Sequence, residues 1–250
     1  MPDALIKGET HLSRKDKQAL MDMDLSQFDA VFREGYDTDY FERDITPLYA
    51  LFGIGHLVYA ATYGLLYISI DEFRQKAREQ GLAFHDDIDT AVYESYEMVS
   101  LRKRILLLFL APVLALALLG LASAPFQLVF QRMLPGFIPV LSVIAGIGLF
   151  LVFGFAFALA YFMMIMDEIM YDRDEYMAEE ILRITEQEGY DSVLVSCGGN
   201  HRSGIASYVE DEGWEIEEEA TDSPIGKILL WMDRLFGALL NPRQTIRRIY

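Results

Sequence analysis

Between Ile105 and Met166 the chain carries a single charged residue, Arg132, and this stretch limits the possible folds more than any other. Residues 105–130 and 133–166 are two uncharged apolar runs. Each exceeds the roughly 20 residues with which a helix crosses about 30 Å of hydrocarbon. Both read as spanning helices, and two adjacent spans make a transmembrane helical hairpin. Pro112 and Pro125 interrupt the first run, whereas Gly146, Gly148 and Gly154 give the second small surfaces for close helix packing. The second run is longer than a perpendicular span requires, so tilt or extension beyond the bilayer is expected.

The formal charge of −17 falls almost wholly outside this hairpin, so the water-facing sequence is intensely acidic. Such a surface repels phosphates, and no basic stripe with interleaved aromatics offsets it, which argues against nucleic acid as a partner. Lysine is scarce beside arginine, and the carboxylate excess resembles proteins of halophilic archaea, where hydrated carboxylates keep surfaces soluble in concentrated salt. The simpler reading is an acidic solvated face. Cys197 is the only cysteine, so an intrachain disulfide and a multi-cysteine metal site are both excluded. Residues 1–10 lack the charged-then-apolar pattern of a secretory signal, which predicts a cytoplasmic N-terminus.

Outside the hairpin the pattern alternates between strand and helix. A short strand over 4–7 runs into Gly8, a polar helix follows over 13–23 with Ser13 as its cap, and 28–35 alternates as a second strand whose end presents Glu34. Residues 71–80 read as a charged amphipathic helix and 81–86 as a strand entering an acidic loop. An acidic helix is expected from Asp167 through Gln187, and then the β-branched run Ser192-Val193-Leu194-Val195-Ser196-Cys197 leads into Gly198. The predicted fold is α/β, with α+β as the alternative. It is a soluble sheet-and-helix domain built from both ends of the chain and interrupted by the hairpin. The expected divisions are 1–103 and 167–220 for its halves, 104–166 for the hairpin and 221–250 for a final amphipathic segment.

Two apolar stretches remain. Residues 47–70 hold no formal charge and are long enough to span, yet Tyr59, Tyr63 and Tyr67 recur every fourth residue and His56 adds another polar group. That pattern favours a buried or membrane-lying helix over a span. Residues 225–240, broken by Asp233 and Arg234, are too short to span and suit a membrane surface or the core. Arg243, Arg247 and Arg248 after them are placed to reach anionic head groups. If only the hairpin spans, both soluble halves share one side of the bilayer. Arg102, Lys103 and Arg104 before the first span, against Arg132 alone in the connection, predict that side to be the cytoplasm.

Two tetrapeptides of one form mark the soluble halves: Gly8-Glu9-Thr10-His11 and Gly198-Gly199-Asn200-His201. At a strand end, glycine permits a sharp turn or close backbone approach, and the histidine is then aimed above the sheet edge. A third match, Gly53-Ile54-Gly55-His56, has no strand before it and reads as structural. His85, beside Asp86 and Asp87, reads as an exposed loop histidine more readily than as part of a site. Cys197 reads as a small buried apolar residue rather than a nucleophile.

The paired motifs, with their context, resemble the TraB/PrgY/Tiki family of pheromone-shutdown and Tiki-like membrane metallopeptidases, marked by two Gly-x-x-His motifs, a glutamate and an arginine. The glutamate matches Glu34 in Val31-Phe32-Arg33-Glu34, and the arginine matches Arg173 in Arg173-Asp174-Glu175-Tyr176-Met177-Ala178. The second motif is followed by the Gly204-Ile205 usual there. The resemblance covers about 6–42 and 171–209, more loosely 81–89, and the hairpin stands as an insertion. The family's strand usually ends Val-Glu-Leu-Asp, whereas Gly35 and Tyr36 follow Glu34 here.

The resemblance implies a membrane-anchored, metal-dependent peptidase with a peptide or protein substrate. His11, Glu34 and His201 would hold a divalent ion and leave one position open for water, the count that hydrolytic metal sites use. Alternatively the two histidines are the ligands and Glu34 is the base that deprotonates water. Manganese, cobalt and zinc all suit this donor set. Arg173 would stabilise an oxyanion, grip a substrate carboxylate, or pair with one of the local carboxylates. The rival reading is a non-catalytic membrane protein that binds or sequesters a peptide signal. A transporter is disfavoured, because the spans embed no carboxylate to couple ions.

Overall fold

The computed structural model describes residues 2–9, 13–35, 46–64, 71–130, 138–161, 165, 167–221, 223–224, 226–228 and 231. Along the chain the elements are β1 (Asp3–Glu9), α1 (Arg14–Asp22), β2 (Ala30–Arg33), α2 (Pro47–Gly64), α3 (Asp71–Glu79), β3 (Ala83–His85) and α4 (Val92–Met98). Then follow α5 (Leu101–Phe130), α6 (Ile138–Tyr161), α7 (Asp167–Glu188), β4 (Ser192–Gly198), α8 (Arg202–Asp211) and β5 (Glu215–Glu219). They divide into two compact units. One comprises Met1–Tyr40, Tyr67–Met98 and Glu168–Tyr250; the other comprises Phe41–Leu66 and Val99–Asp167.

The first unit is an α/β fold around a five-stranded, wholly parallel sheet in the order β3-β2-β4-β1-β5. Successive strand residues face opposite sides, and the apolar sequence fills both. Ala4, Ile6, Ala30, Phe32, Val193, Val195 and Cys197 pack on one face against Met177, Ala178 and Ile181 of α7 and Ile205, Ala206 and Val209 of α8. The alternate residues Leu5, Val31 and Leu194 pack on the other against Leu20 of α1 and Phe73 and Ala77 of α3. Each fully buried Ile, Leu or Phe contributes about 1.5–3 kcal/mol. The three-layer arrangement therefore accounts for the near-continuous apolar runs of β1 and β4.

The order of the strands fixes where a site belongs. From β1 the chain moves toward one edge through β2 to β3, and it then returns to β4 and on to β5 at the opposite edge. Right-handed crossovers in opposite directions put their helices on opposite faces, and the two clusters show that separation. The tip of β4 thus lies between β1 and β2, two strands whose following helices pack on the other face, which makes its carboxyl end the point where the winding of the sheet reverses.

Local signals explain the boundaries. Ser13 accepts a hydrogen bond from the Asp16 amide at 3.1 Å and caps α1, as its position predicts. Gly189, at φ 73°, takes the left-handed conformation that ends α7, and its amide bonds to the Thr185 carbonyl. β1 runs on through Glu9, beyond the 4–7 read from the sequence, because its ladder with β4 continues as far as the Glu9–Gly198 pair.

Among the described residues of the second unit, two helices are long and apolar enough to cross a membrane. Leu101–Gly120 and Ile144–Tyr161 have mean hydropathies of 2.0 and 2.2, and only 22% and 28% of these windows are buried within the chain. α5 runs continuously through Pro112 and Pro125 rather than breaking there. Of the glycines expected to ease packing, Gly148 faces open space. Gly146 does lie at a close approach, opposite Gly120, where a Cβ would stand 2.7 Å from the Phe150 amide nitrogen and 2.8 Å from the Gly146 carbonyl. Segment 47–66, within the expected N-terminal half, clusters with these helices. On its helix α2, Tyr49, Phe52, His56 and Val58 are buried, whereas Ile54 and Leu57 are exposed. Arg132, Tyr67 and the arginines at 243, 247 and 248 lie outside the described residues.

Candidate functional site

β1 and β4 are neighbours in a parallel ladder, with Gly8 opposite Cys197 and Glu9 opposite Gly198. The two Gly-x-x-His motifs therefore begin side by side at the carboxyl edge of the sheet. Gly8 is needed for the fit. A Cβ there would stand 3.1 Å from the Gly199 Cα and 3.2 Å from the Arg202 Cβ, so a side chain would push the second motif away. The Gly199 amide donates to the Glu9 carbonyl at 3.0 Å, which carries the strand pairing into the turn. His11 itself lies outside the described residues.

The second motif turns directly into α8. The His201 amide donates to the Gly198 carbonyl at 2.9 Å, and His201 occupies the N-cap position without capping through its side chain. Its imidazole instead is buried, with Nδ1 2.5 Å from Asp174 Oδ1 and Nε2 3.5 Å from Glu34 Oε1. Glu34 stands one residue beyond β2. Its Oε2 accepts from the Gly198 amide at 2.7 Å, and its own amide donates to the Ser196 carbonyl at 3.2 Å. The glutamate is tied to β4 from both ends, leaving Oε1 directed at His201.

α7 supplies the remaining groups. Arg173, the largest fully buried side chain, donates through Nε to Asp89 Oδ1 at 3.1 Å and through Nη2 to Asp89 Oδ2. The same Nη2 lies 3.5 Å from Glu34 Oε1. Of the roles anticipated for Arg173, the ion pair with a local carboxylate is the one observed. Asp174, the next residue, holds His201, and Gly204 makes room for it: a Cβ on Gly204 would run into the Asp174 carboxylate.

Glu34, Asp89 and Asp174 set three carboxylates against one guanidinium. Burial alone would push the His201 pKa down, but Glu34, then Asp174 and its hydrogen bond, outweigh this and Arg173 and raise it above the ordinary histidine value. The field that favours a protonated imidazole also favours a cation beside it. The donor geometry fits such an ion in part. Two donors about 2.1 Å from a metal at the tetrahedral angle stand about 3.4 Å apart, close to the 3.5 Å between His201 Nε2 and Glu34 Oε1. Asp174 on Nδ1 is the carboxylate that metal-bound histidines characteristically carry on their other nitrogen. Among the described residues no group of three His, Cys, Asp or Glu side chains stands ready to hold a metal; the third expected ligand is His11.

His85 is neither an exposed loop residue nor part of this cluster. It ends β3, stacks on Phe32 at 4.9 Å and 18°, and lies 3.2 Å from the Tyr190 hydroxyl. Cys197 is wholly buried, and burial pushes its thiol pKa well up, with Glu34, Asp174 and Glu9 adding to the effect. The third motif lies within α2, with His56 buried among Phe52, Tyr59 and Tyr161.

Asp89, Asp174, Glu9 and Ser196 were not anticipated as parts of the site. Asp174 had a readable signal. With Ala178, Ile181 and Thr185 it lies on the buried stripe of α7, where a charge has to be paired. Asp89 had none, since it ends the run Asp86-Asp87-Ile88-Asp89, which reads as a solvated loop. Glu9 accepts from the Ser196 hydroxyl at 2.5 Å, and both are buried where the two motifs adjoin. No protein-family model, curated protein or solved structure matches the chain.

Proposed function

We propose that this chain is a membrane-anchored, metal-dependent hydrolase of peptide bonds, with His201, Glu34 and His11 holding a zinc, manganese or cobalt ion. The observation that carries the reading is buried His201 beside half-buried Glu34, 3.5 Å apart at the carboxyl edge of the sheet, with Asp174 fixed on the other imidazole nitrogen. A bound ion would supply Lewis acidity and bring the pKa of water toward neutrality. With an ion bound, Asp174 would accept from Nδ1–H and leave the Nε2 lone pair to the ion. The Gly198 amide engages one oxygen of Glu34 and leaves the other to act as ligand or base. Arg173, held by Asp89, positions Glu34 through its remaining contact.

The choice of peptide bonds among hydrolysable substrates rests on the resemblance to the TraB/PrgY/Tiki family. α5 and α6 would cross the bilayer as a hairpin, with Arg102, Lys103 and Arg104 keeping the sheet unit in the cytoplasm. The test is metal content and peptide hydrolysis by purified protein beside His11→Ala, Glu34→Ala and His201→Ala. Loss of both in the variants supports the reading. Undiminished metal in all three overturns the site. Metal and peptide binding without turnover establishes the sequestering protein instead.

A further inference from the structure

A substrate carboxylate has to find its cation elsewhere than at Arg173, which is fully buried and engages Asp89 and Glu34. Lys7 and Arg74 are paired as well, with Glu219 and Asp86. Arg202 differs. It is the first residue of α8, directly after His201, and its Nε stands 3.3 Å from Glu218 Oε2. Among the described residues neither Nη1 nor Nη2 has a partner, and the side chain is 22% exposed. The end-on fork of these two nitrogens is the geometry that takes a carboxylate with two parallel hydrogen bonds.

The place of the guanidinium follows from its neighbours. Its stem lies over Gly8, where a Cβ would stand 3.1 Å from Arg202 Cδ, so the first motif makes room for it. Its charge reaches the strand ends, where it opposes the acids around Cys197. Strand order gives the separation from the His201–Glu34 pair, which meets beyond β4 and β2, whereas Glu218 belongs to β5, two strands from β4. Neighbouring strands lie about 4.8 Å apart, so the guanidinium stands on the order of 10 Å from that pair. An extended peptide covers about 3.3–3.6 Å per residue, and about three residues bridge the gap. The surrounding surface sharpens the selection. At a formal charge of −17 the protein repels anionic ligands, and it holds one only where a cation with open donors faces it.

We propose that Arg202 is a specificity residue of the candidate site. It binds a carboxylate of the peptide about three residues from the bond held at His201 and Glu34, and Glu218 orients its guanidinium through Nε. The proposal rests on the hydrolase reading for the location of that bond, but the carboxylate contact itself forms whether or not the peptide is cut. A terminal carboxylate and an acidic side chain offer the same chemistry to the fork.

Zinc-loaded full-length protein in detergent is given hexa-alanine peptides blocked at both ends, with one Glu or one Gln at each position in turn, and the same parent with a free C-terminus. Calorimetry reads binding and mass spectrometry reads cleavage. The expected result is a carboxylate-bearing peptide that binds about tenfold or more tightly than its neutral counterpart, with KM moved more than kcat. A preference for Glu assigns the carboxylate to a side chain, and a preference for the free end assigns it to the C-terminus. Arg202→Gln should abolish the preference and Arg202→Lys should keep part of it. Arg183→Gln, an equal loss of charge at an exposed position of α7, should keep it whole. Equal affinity for acidic, free-ended and neutral peptides overturns the proposal even where cleavage upholds the hydrolase reading, and so does a preference that survives Arg202→Gln. Selective binding that Arg202→Gln removes, without cleavage, upholds the contact and defeats the hydrolase reading. Failure to bind any of the peptides defeats both.

Discussion

His201 and His56 each close a Gly-x-x-His tetrapeptide and each is buried, yet His201 is held between the carboxylates of Asp174 and Glu34 whereas His56 is held among aromatic rings. The glycines differ in the same way. Gly8 admits the backbone of the second motif at a strand end, while Gly55 admits the rings of Phe157 and Tyr161 from α6, where a Cβ would stand 3.0 and 3.3 Å away. The tetrapeptide has no chemistry of its own. What precedes it decides its role, because a strand end at a crossover reversal collects charged side chains from several elements, and the middle of an apolar helix collects packing partners.

The largest consequence of that contrast concerns stability. Asp89→Ala would remove the carboxylate that both Nε and Nη2 of the buried Arg173 guanidinium engage, and breaking a buried pair from one side costs about 3–5 kcal/mol. His56→Phe keeps an aromatic ring among aromatic rings and should cost less than about 1.5 kcal/mol. Thermal unfolding of the two variants in the same detergent makes the comparison. Equal losses would mean that the two burial modes are not energetically distinct.

Metal affinity separates the motifs next. His201→Ala should weaken divalent-ion binding by more than about 100-fold, beyond the range expected for groups that only orient a ligand. His56→Ala should leave it unchanged. Equilibrium dialysis with zinc reads both, and a fall with His56→Ala would erase the distinction between the motifs.

The α/β fold and the two strands that carry the motifs were legible because both write themselves into local pattern. β1 and β4 each hold a short apolar run that leads to a glycine, Gly8 and Gly198, and Ser13 is a cap followed by helical spacing. Glu34 was legible as the residue at a strand's end, and the ladder explains its precision, since its amide bonds to Ser196 of the neighbouring strand. The partners of Arg173 and His201 were not legible for a physical reason. Asp89 reaches Arg173 across 84 residues, and Asp174 reaches His201 across 27. No periodicity within either segment encodes a meeting that only the packing of α7 on the sheet creates. His85 misled because its acidic neighbours suggested solvent, while the ring itself packs on Phe32.

Asp174 sharpens the comparison by degree. Asp174→Asn keeps the size of the side chain but replaces the charged acceptor on Nδ1, and outer partners of this kind alter metal affinity by about 10–100-fold. Gly204→Ala should act in the same direction, because its Cβ would displace the Asp174 carboxylate. Both variants should stay folded and bind less zinc by dialysis. Unchanged affinity in both would leave His201 without need of its carboxylate and make its surroundings as passive as those of His56.

The smallest expected effect tests whether a helix start supports the first motif, a support the mid-helix His56 does not have. Ser13 follows His11 by two residues and fixes the beginning of α1 through the Asp16 amide, while the Asp16 carboxylate accepts from Thr221. Ser13→Ala removes the cap and should cost about 1 kcal/mol. That corresponds to roughly fivefold faster exchange of the Asp16 amide if it opens locally. Exchange measured by mass spectrometry on the peptide spanning 13–23 should accelerate while the β4 peptide stays unchanged. If the two peptides accelerate together, the cap holds the whole sheet unit rather than its own turn.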